Sequence, residues 1–423
     1  MLERLPAYRP LTGADLPLRL AHRSEMTDAL GPITGWRVRE IGDGNLNLVF
    51  VVEGSRGALI VKQALPYARV VGEGWPLSLA RATFEFHALT RLGARDPGRM
   101  PKVLAFDETQ ALIVMEHLTP HLILRRGLIA GECYDDLGRH LGHYLARTLF
   151  RGSDLHLGPA RRKADTALFC ANVELTGITE DLVFTDPFLD HPRNRHTPGL
   201  EREAAHVRAD RALTLAACEM KARFATRSET LLHGDLHTGS VMATATDTRV
   251  IDPEFAVYGP MGFDVGALLG NLFLAFFAQP GLPAGSVDRA AYGAFILDLA
   301  ATVWASFTAE FSALWHSERA GMLGGRDVFE GQGDPRGADL LLKARLGEIW
   351  EDTLGFAGIE MHRRILGLAH AAELEAVADE RVRAACERRA LKAGRALAVG
   401  RTGFARMADV CALMLDLAGG ARP

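Results

Sequence analysis

Cysteine is scarce in this 423-residue chain: five residues, at 133, 170, 218, 386 and 411, with no two in Cys-x-x-Cys spacing. That scatter offers neither a thiolate zinc site nor a disulfide framework, and it fits a reducing cytoplasm. An excess of one charge is missing as well. Forty-eight Lys and Arg against 52 Asp and Glu leave a formal charge of −4, with no basic block and no acidic tail. Nothing electrostatic therefore calls for a nucleic-acid partner. Long apolar runs are also lacking. The longest, "VGALLGNLFLAFFA" at 265–278, lies between Asp264 and Pro280 and falls short of the roughly 20 residues of a spanning helix, so a buried helix and no membrane are expected. The opening "MLERLPAYRPLTG" has acid, base and two prolines where an export signal needs an apolar stretch, so none is read there. No internal repeat is evident.

What is present describes a globular protein, 48% apolar and 24% charged, and long enough for two lobes with a deep cleft. Residues 36–62, "WRVREIGDGNLNLVFVVEGSRGALIVK", alternate apolar and polar side chains around two Gly-containing breaks, which predicts strand, loop, strand, turn, strand. Apolar spacing in "LARATFEFHALTRLG" predicts a helix over 79–93 that carries Glu85. Two β-rich runs follow between 102 and 118. Beyond 120 helical patterns dominate, interrupted by two short strands in "VMATATDTRVIDPEF" and by Gly- and Pro-rich loops at 192–200 and 324–337. The expected fold class is α+β and bilobal: a small antiparallel-sheet lobe with one main helix over 1–118, and a larger, mainly helical lobe over 119–423.

Several residues could carry chemistry. Gly42 and Gly44, with Asn45, let a backbone approach a polyphosphate and expose N–H groups to it, although a plain hairpin turn reads equally well. Lys62 ends an apolar strand ahead of the helix bearing Glu85, an order suited to gripping nucleotide α- and β-phosphates; Glu73 is a second candidate partner. "LIVMEHL" runs into the segment between the lobes, where the Glu116 carbonyl and the Leu118 N–H, with His117 between them, could meet an adenine edge. Met115 could line the slot or simply fill core. In "HGDLHTGS", Asp235 stands where a carboxylate could orient or deprotonate a hydroxyl. In "VIDPEF", Asp252 and Glu254 could supply oxygen ligands for Mg²⁺ on a nucleotide such as ATP, with Pro253 between them at the nucleotide site. His233 and His237 alternate with Asp235, but magnesium prefers oxygen, and His233 reads better as a residue anchoring the loop backbone. No Gly-x-Ser-x-Gly elbow supports a serine hydrolase.

On "GDGNLNLVF", "VVGEGWPLSLARATFE", "LLHGDLHTGSVM", "VIDPEFAVYGPMGFDVGALLGNL" and "HRRILGLAH" the chain resembles the 5-methylthioribose kinases, small-molecule members of the protein-kinase-like and aminoglycoside-phosphotransferase-like group. The resemblance spans nearly the whole chain. It implies ATP and Mg²⁺ as cofactors, a cytoplasmic homodimer, and phosphorylation of the 1-hydroxyl of S-methyl-5-thioribose in methionine salvage. Two departures from ordinary kinases are part of this pattern: Ser240 stands where a metal-binding Asn is usual, and Asp252-Pro253-Glu254 replaces Asp-Phe-Gly. The resemblance also implies substrate contacts from Arg363 and Arg364, of which helical geometry, at about 100° per residue, predicts that only one points into the site. Trp75 is an expected lid or sugar contact. The alternatives are a kinase of the same fold acting on an aminoglycoside, choline or homoserine, and a non-catalytic nucleotide-binding protein.

Overall fold

The computed structural model describes residues 7–41, 46–68 and 72–419. It divides into two compact units. The first gathers residues 1–120, 172–175 and 249–256; the second holds the rest. The sequence division at 118/119 had put Asp252 and Glu254 in the later lobe, whereas the segment bearing them folds with the first unit, tied in by the Val250 N–H to the Arg99 carbonyl at 2.7 Å.

In the first unit, β1 (Arg37–Glu40), β2 (Asn47–Glu53) and β3 (Ala58–Ala64) form where alternation predicted them. A two-strand hairpin follows, β4 (Tyr67–Ala68) with β5 (Gly72–Pro76), and then β6 (Val103–Asp107) and β7 (Leu112–Glu116). The main sheet runs β1-β2-β3-β7-β6, antiparallel throughout. Side chains alternate between faces with period two. Phe50, Val52, Leu59, Val61, Leu112 and Val114 therefore bury one face, beneath Leu16, Leu20, Met26 and Leu30 of two short N-terminal helices that the sequence reading passed over. Lys62, one position beyond Val61, points to the other face. Helix Arg81–Arg95 packs against β3, extending two residues past the Gly93 stop because Gly93 lies within its regular turns.

The second unit is built on helix Gly262–Ala278, every residue of which is buried. Helices Pro335–Leu366, Arg289–Glu318 and Glu380–Gly400 pack around it. Gly262, Gly266 and Gly270, at i, i+4 and i+8, present a bare stripe to helix Pro335–Leu366. A Cβ on Gly266 would lie 2.6 Å from the Thr353 carbonyl oxygen, so only glycine permits this approach.

Among the described residues, two segments are long and apolar enough to cross a membrane by length and composition, Gly262–Gly281 and Arg289–Glu318. The first holds the apolar run read from the sequence as a buried helix, extended to Gly281 by the 3-10 turn Gln279–Gly281; the second is longer than any apolar run the sequence reading gave. The apolar window of the first is wholly buried, as a core helix requires; that of the second is 44% buried.

Candidate active site

In the first unit, four charged side chains meet on the Lys62 face of the sheet. Lys62 is paired across the sheet with Val49 and Ile113. Its ammonium donates to Glu85 Oε1 at 2.8 Å, bonds Asp252 and stands 3.9 Å from Glu254 Oε2. Glu85 is thus its helical partner, while the Glu73 side chain lies outside what the structure describes. Burial alone would pull the Lys62 ammonium below the ordinary lysine range, but Asp252, Glu254 and Glu85 outweigh it and hold it above. The carboxyls respond oppositely. Burial, reinforced by the other acids, pushes Glu85 and Glu254 up despite Lys62. Three carboxyl groups face one ammonium in a sparsely solvated place. Asp252 adopts φ 67°, a left-handed conformation that Asp tolerates better than most residues and that turns its half-exposed carboxylate toward Lys62. Oxygen donors of Glu85, Asp252 and Glu254 lie within 4.8 Å of one another, a donor set that fits Mg²⁺.

The second unit assembles the other predicted group. Asp235 follows Gly234, whose φ of 87° sharpens the turn. The loop is fixed from below by Asp264, in the first turn of helix Gly262–Ala278: its two oxygens accept the His233 N–H at 2.6 Å and the Gly234 N–H at 3.0 Å. His233 Nδ1 in turn accepts the Asp235 N–H at 3.3 Å, the anchoring part expected of it. Ser240 donates its hydroxyl to the Asp235 carbonyl at 2.9 Å and so braces the loop. His237 Nδ1 accepts the Gly239 N–H at 2.8 Å, leaving the ring proton on Nε2, 3.4 Å from Asp235 Oδ2.

Both arginines reach Asp235. Arg363 Nη1 and Arg364 Nη2 lie 3.3 and 3.4 Å from its Oδ1. The expectation that only one would point inward is corrected, and the reason is Glu360. One helical turn back, it accepts Arg364 Nε on Oε1 at 2.6 Å and Arg363 Nη1 on Oε2 at 3.1 Å, drawing two diverging side chains to one side. Glu360 is itself held by Asn271 Nδ2 at 3.0 Å. Burial would raise the Asp235 carboxyl, but His237, Arg363 and Arg364 overcome it and hold it well below the usual carboxylate range.

The remaining predicted residues are dispersed. Glu116 ends β7 with its N–H given to the Lys102 carbonyl at 2.9 Å, while its side chain accepts the Lys102 N–H at 3.1 Å and stands 3.5 Å from Arg249. His117 keeps a buried Nδ1 without a partner, and the buried Leu118 follows it. Pro253 is buried beneath Asp252, and Trp75 sits half-buried on β5. Gly42, Gly44 and Asn45 lie outside the described residues. Sequence reasoning missed Asn47, Arg81, Glu360, Asn271 and Asp264. Only Glu360 left a legible signal, its i−3 and i−4 spacing to the arginine pair.

Residues 37–287 match the phosphotransferase enzyme family. A lysine-bound carboxylate cluster, in the first unit, and an Asp held in a His-Gly-Asp loop, in the second, are each of the kind that phosphoryl transfer uses. The chain is 43% identical to a methylthioribose kinase of Escherichia coli over 415 residues, 97% of this chain and 98% of that one. It is 41% identical to methylthioribose kinase 2 of Oryza sativa subsp. japonica over 406 residues, 95% of each. It belongs to the methylthioribose kinase family. Among solved structures, a glucosamine kinase in complex with glucosamine, ADP and inorganic phosphate matches 90% of this chain and 84% of its own at a TM-score of 0.46 and 18% identity.

Proposed function

We propose that this chain transfers the γ-phosphoryl group of ATP to the 1-hydroxyl of S-methyl-5-thioribose, releasing ADP and S-methyl-5-thioribose 1-phosphate, as a cytoplasmic homodimer serving methionine salvage. The observation that carries the reading is the convergence of Arg363 and Arg364 on Asp235 Oδ1. Two guanidiniums leave Asp235 a weak base. An anomeric hydroxyl is more acidic than an ordinary alcohol and needs only a weak base. A choline or aminoglycoside cation, by contrast, would be repelled by the arginine pair.

In this mechanism Asp235 offers the open side of Oδ2 to the 1-hydroxyl, because Oδ1 is occupied by the arginines. The hydroxyl oxygen attacks the γ-phosphorus, the bond to the β–γ bridging oxygen breaks, and the hydroxyl proton passes to Oδ2 late in the step. Lys62, fixed by Glu85, grips the α- and β-phosphates, and the arginines meet charge developing on the transferred group. Asp252 and Glu254 would hold Mg²⁺, which neutralises phosphate charge when bound. The first unit is assigned the nucleotide, with the Leu118 N–H and Glu116 carbonyl toward adenine and Trp75 toward the sugar; the second unit is assigned the acceptor.

Coupled ADP release across methylthioribose, choline, glucosamine and an aminoglycoside tests this. Turnover with methylthioribose well above the others is expected. Turnover with choline or an aminoglycoside but none with methylthioribose would overturn it.

A further inference from the structure

Beside the Lys62 cluster, one buried guanidinium makes contacts that no step above uses. Arg81, 2% exposed, opens the helix that carries Glu85 one turn later. Its Nη1 donates to the Leu65 carbonyl at 2.5 Å and the Ser78 carbonyl at 3.1 Å. Leu65 and Ser78 are the two feet of the β4–β5 hairpin, the hairpin that bears Trp75. Its Nη2 donates to the Leu46 carbonyl at 2.9 Å and to Asn47 Oδ1 at 3.1 Å. Leu46 is the first described residue after 42–45, and Asn47 opens β2. Asn47, 4% exposed, passes the contact on, its Nδ2 donating to Glu254 Oε2 at 2.8 Å.

A fork with five donors can span three segments in this way, where a lysine would serve one. Burying an arginine is costly unless its donors are used, and here four separate acceptors are met. Accepting from Arg81 also fixes which end of the Asn47 amide faces Glu254: the oxygen is taken, so the donor end must point at the carboxylate. Glu254 Oε2 is thereby held on one side, with Oε1 left for another partner.

We infer that Arg81 and Asn47 are positioning residues that aim the Glu254 carboxylate for the nucleotide-bound divalent cation, and that Arg81 ties Leu46 and the feet of the Trp75 hairpin to that aim. The inference rests on the reading of Asp252 and Glu254 as magnesium ligands. Outer residues that orient a ligating carboxylate commonly change metal affinity by 10–100-fold when removed.

Calorimetric titration of the full chain with ADP, with and without Mg²⁺, separates the possibilities. In the parent protein Mg²⁺ should tighten ADP binding. In Asn47→Leu that tightening should shrink about 10-fold, while Mg²⁺-free ADP binding stays near its parental value. Arg81→Lys, which keeps the charge but loses the fork, should shrink it too and also weaken Mg²⁺-free binding, because Leu46, Leu65 and Ser78 lose their common tie. Should Asn47→Leu fail to fold, Arg81→Lys carries the test alone. Absence of any Mg²⁺ effect in the parent would sink the metal reading itself. A full Mg²⁺ effect in both variants would sink this inference and leave the metal reading standing.

Discussion

Asp235 illustrates how far neighbours can decide a carboxylate's work. Burial favours its neutral form, yet His237, Arg363 and Arg364 keep it ionised to well below the usual range. A depressed acid contributes stability that is present above its unfolded value near pH 4 and is lost as pH falls through the folded one. Between pH 5 and 8 the group therefore stays charged, and no limb in the kcat/KM profile across that window should arise from it. In the proposed reaction the same weakness as a base would make orientation of the acceptor hydroxyl its main contribution. Asp235→Asn keeps an acceptor of the same shape but sets a neutral amide against two guanidiniums. We expect kcat to fall about 10²–10³-fold, within the range typical of positioned acid–base groups, with ADP affinity unchanged. Steady-state turnover equal to the parent's would refute the role. Asp235, Lys62, Asp252 and Glu254 were all legible in sequence because each stands in a short motif with fixed chemistry. Asn47 and Arg81 were not, since an Asn at a strand start and an Arg at a helix start look like any others until the chain folds them against Glu254.

At the scale of elements, two helices carry most of the second unit's chemistry. Helix Gly262–Ala278 supplies Asp264 beneath the Asp235 loop and Asn271 against Glu360, while helix Pro335–Leu366 supplies Glu360, Arg363 and Arg364. Their spacing is set by the Gly262, Gly266 and Gly270 stripe. Gly266→Ala would press a methyl group to 2.6 Å from the Thr353 carbonyl oxygen and 2.7 Å from Phe356 Cβ, both on a rigid helix. Overpacking of this kind costs about 1–3 kcal/mol. Gly347→Ala on the same partner helix meets nothing within 4 Å and should instead gain up to about 1 kcal/mol from helix propensity. Paired denaturant melts check both signs, and equal effects at the two sites would remove the seam from the account. The apolar run of the first helix was plain in the sequence, and so was the arginine pair. The error over which arginine faces inward came from treating side chains as extensions of Cα direction. Arginines are long enough to bend, and Glu360 gives them a common point to bend toward.

For the whole molecule, what sequence order hid was return of the chain. Strand alternation marked the first sheet correctly, but residues 249–256 and 172–175 rejoin that unit from far along the sequence, through contacts such as Asn172 Nδ2 to the Glu254 carbonyl at 3.0 Å. No local pattern announces such a return. Burial on this scale also shapes the response to pH. Outside the Lys62 cluster, Glu229, Glu373, Asp264 and Glu387 are all pushed up, first of all by burial. Glu387 is 1% exposed, with Oε2 unpartnered, and rises to about 7; its bond with Thr197 and the charge of Arg383 oppose the rise, while Glu375 adds to it. A raised acid holds its proton in the folded state after the unfolded chain has lost it, so folding stability falls as pH climbs from about 4.5 to about 7. For Glu387 alone that loss is on the order of 3 kcal/mol at most. Glu387→Gln keeps the size and an acceptor for Thr197 but has no proton to lose. Its melting temperature should therefore equal the parent's near pH 5 and exceed it at pH 8. A constant difference between the two proteins across that range would mean that folding does not raise the Glu387 carboxyl above its unfolded value.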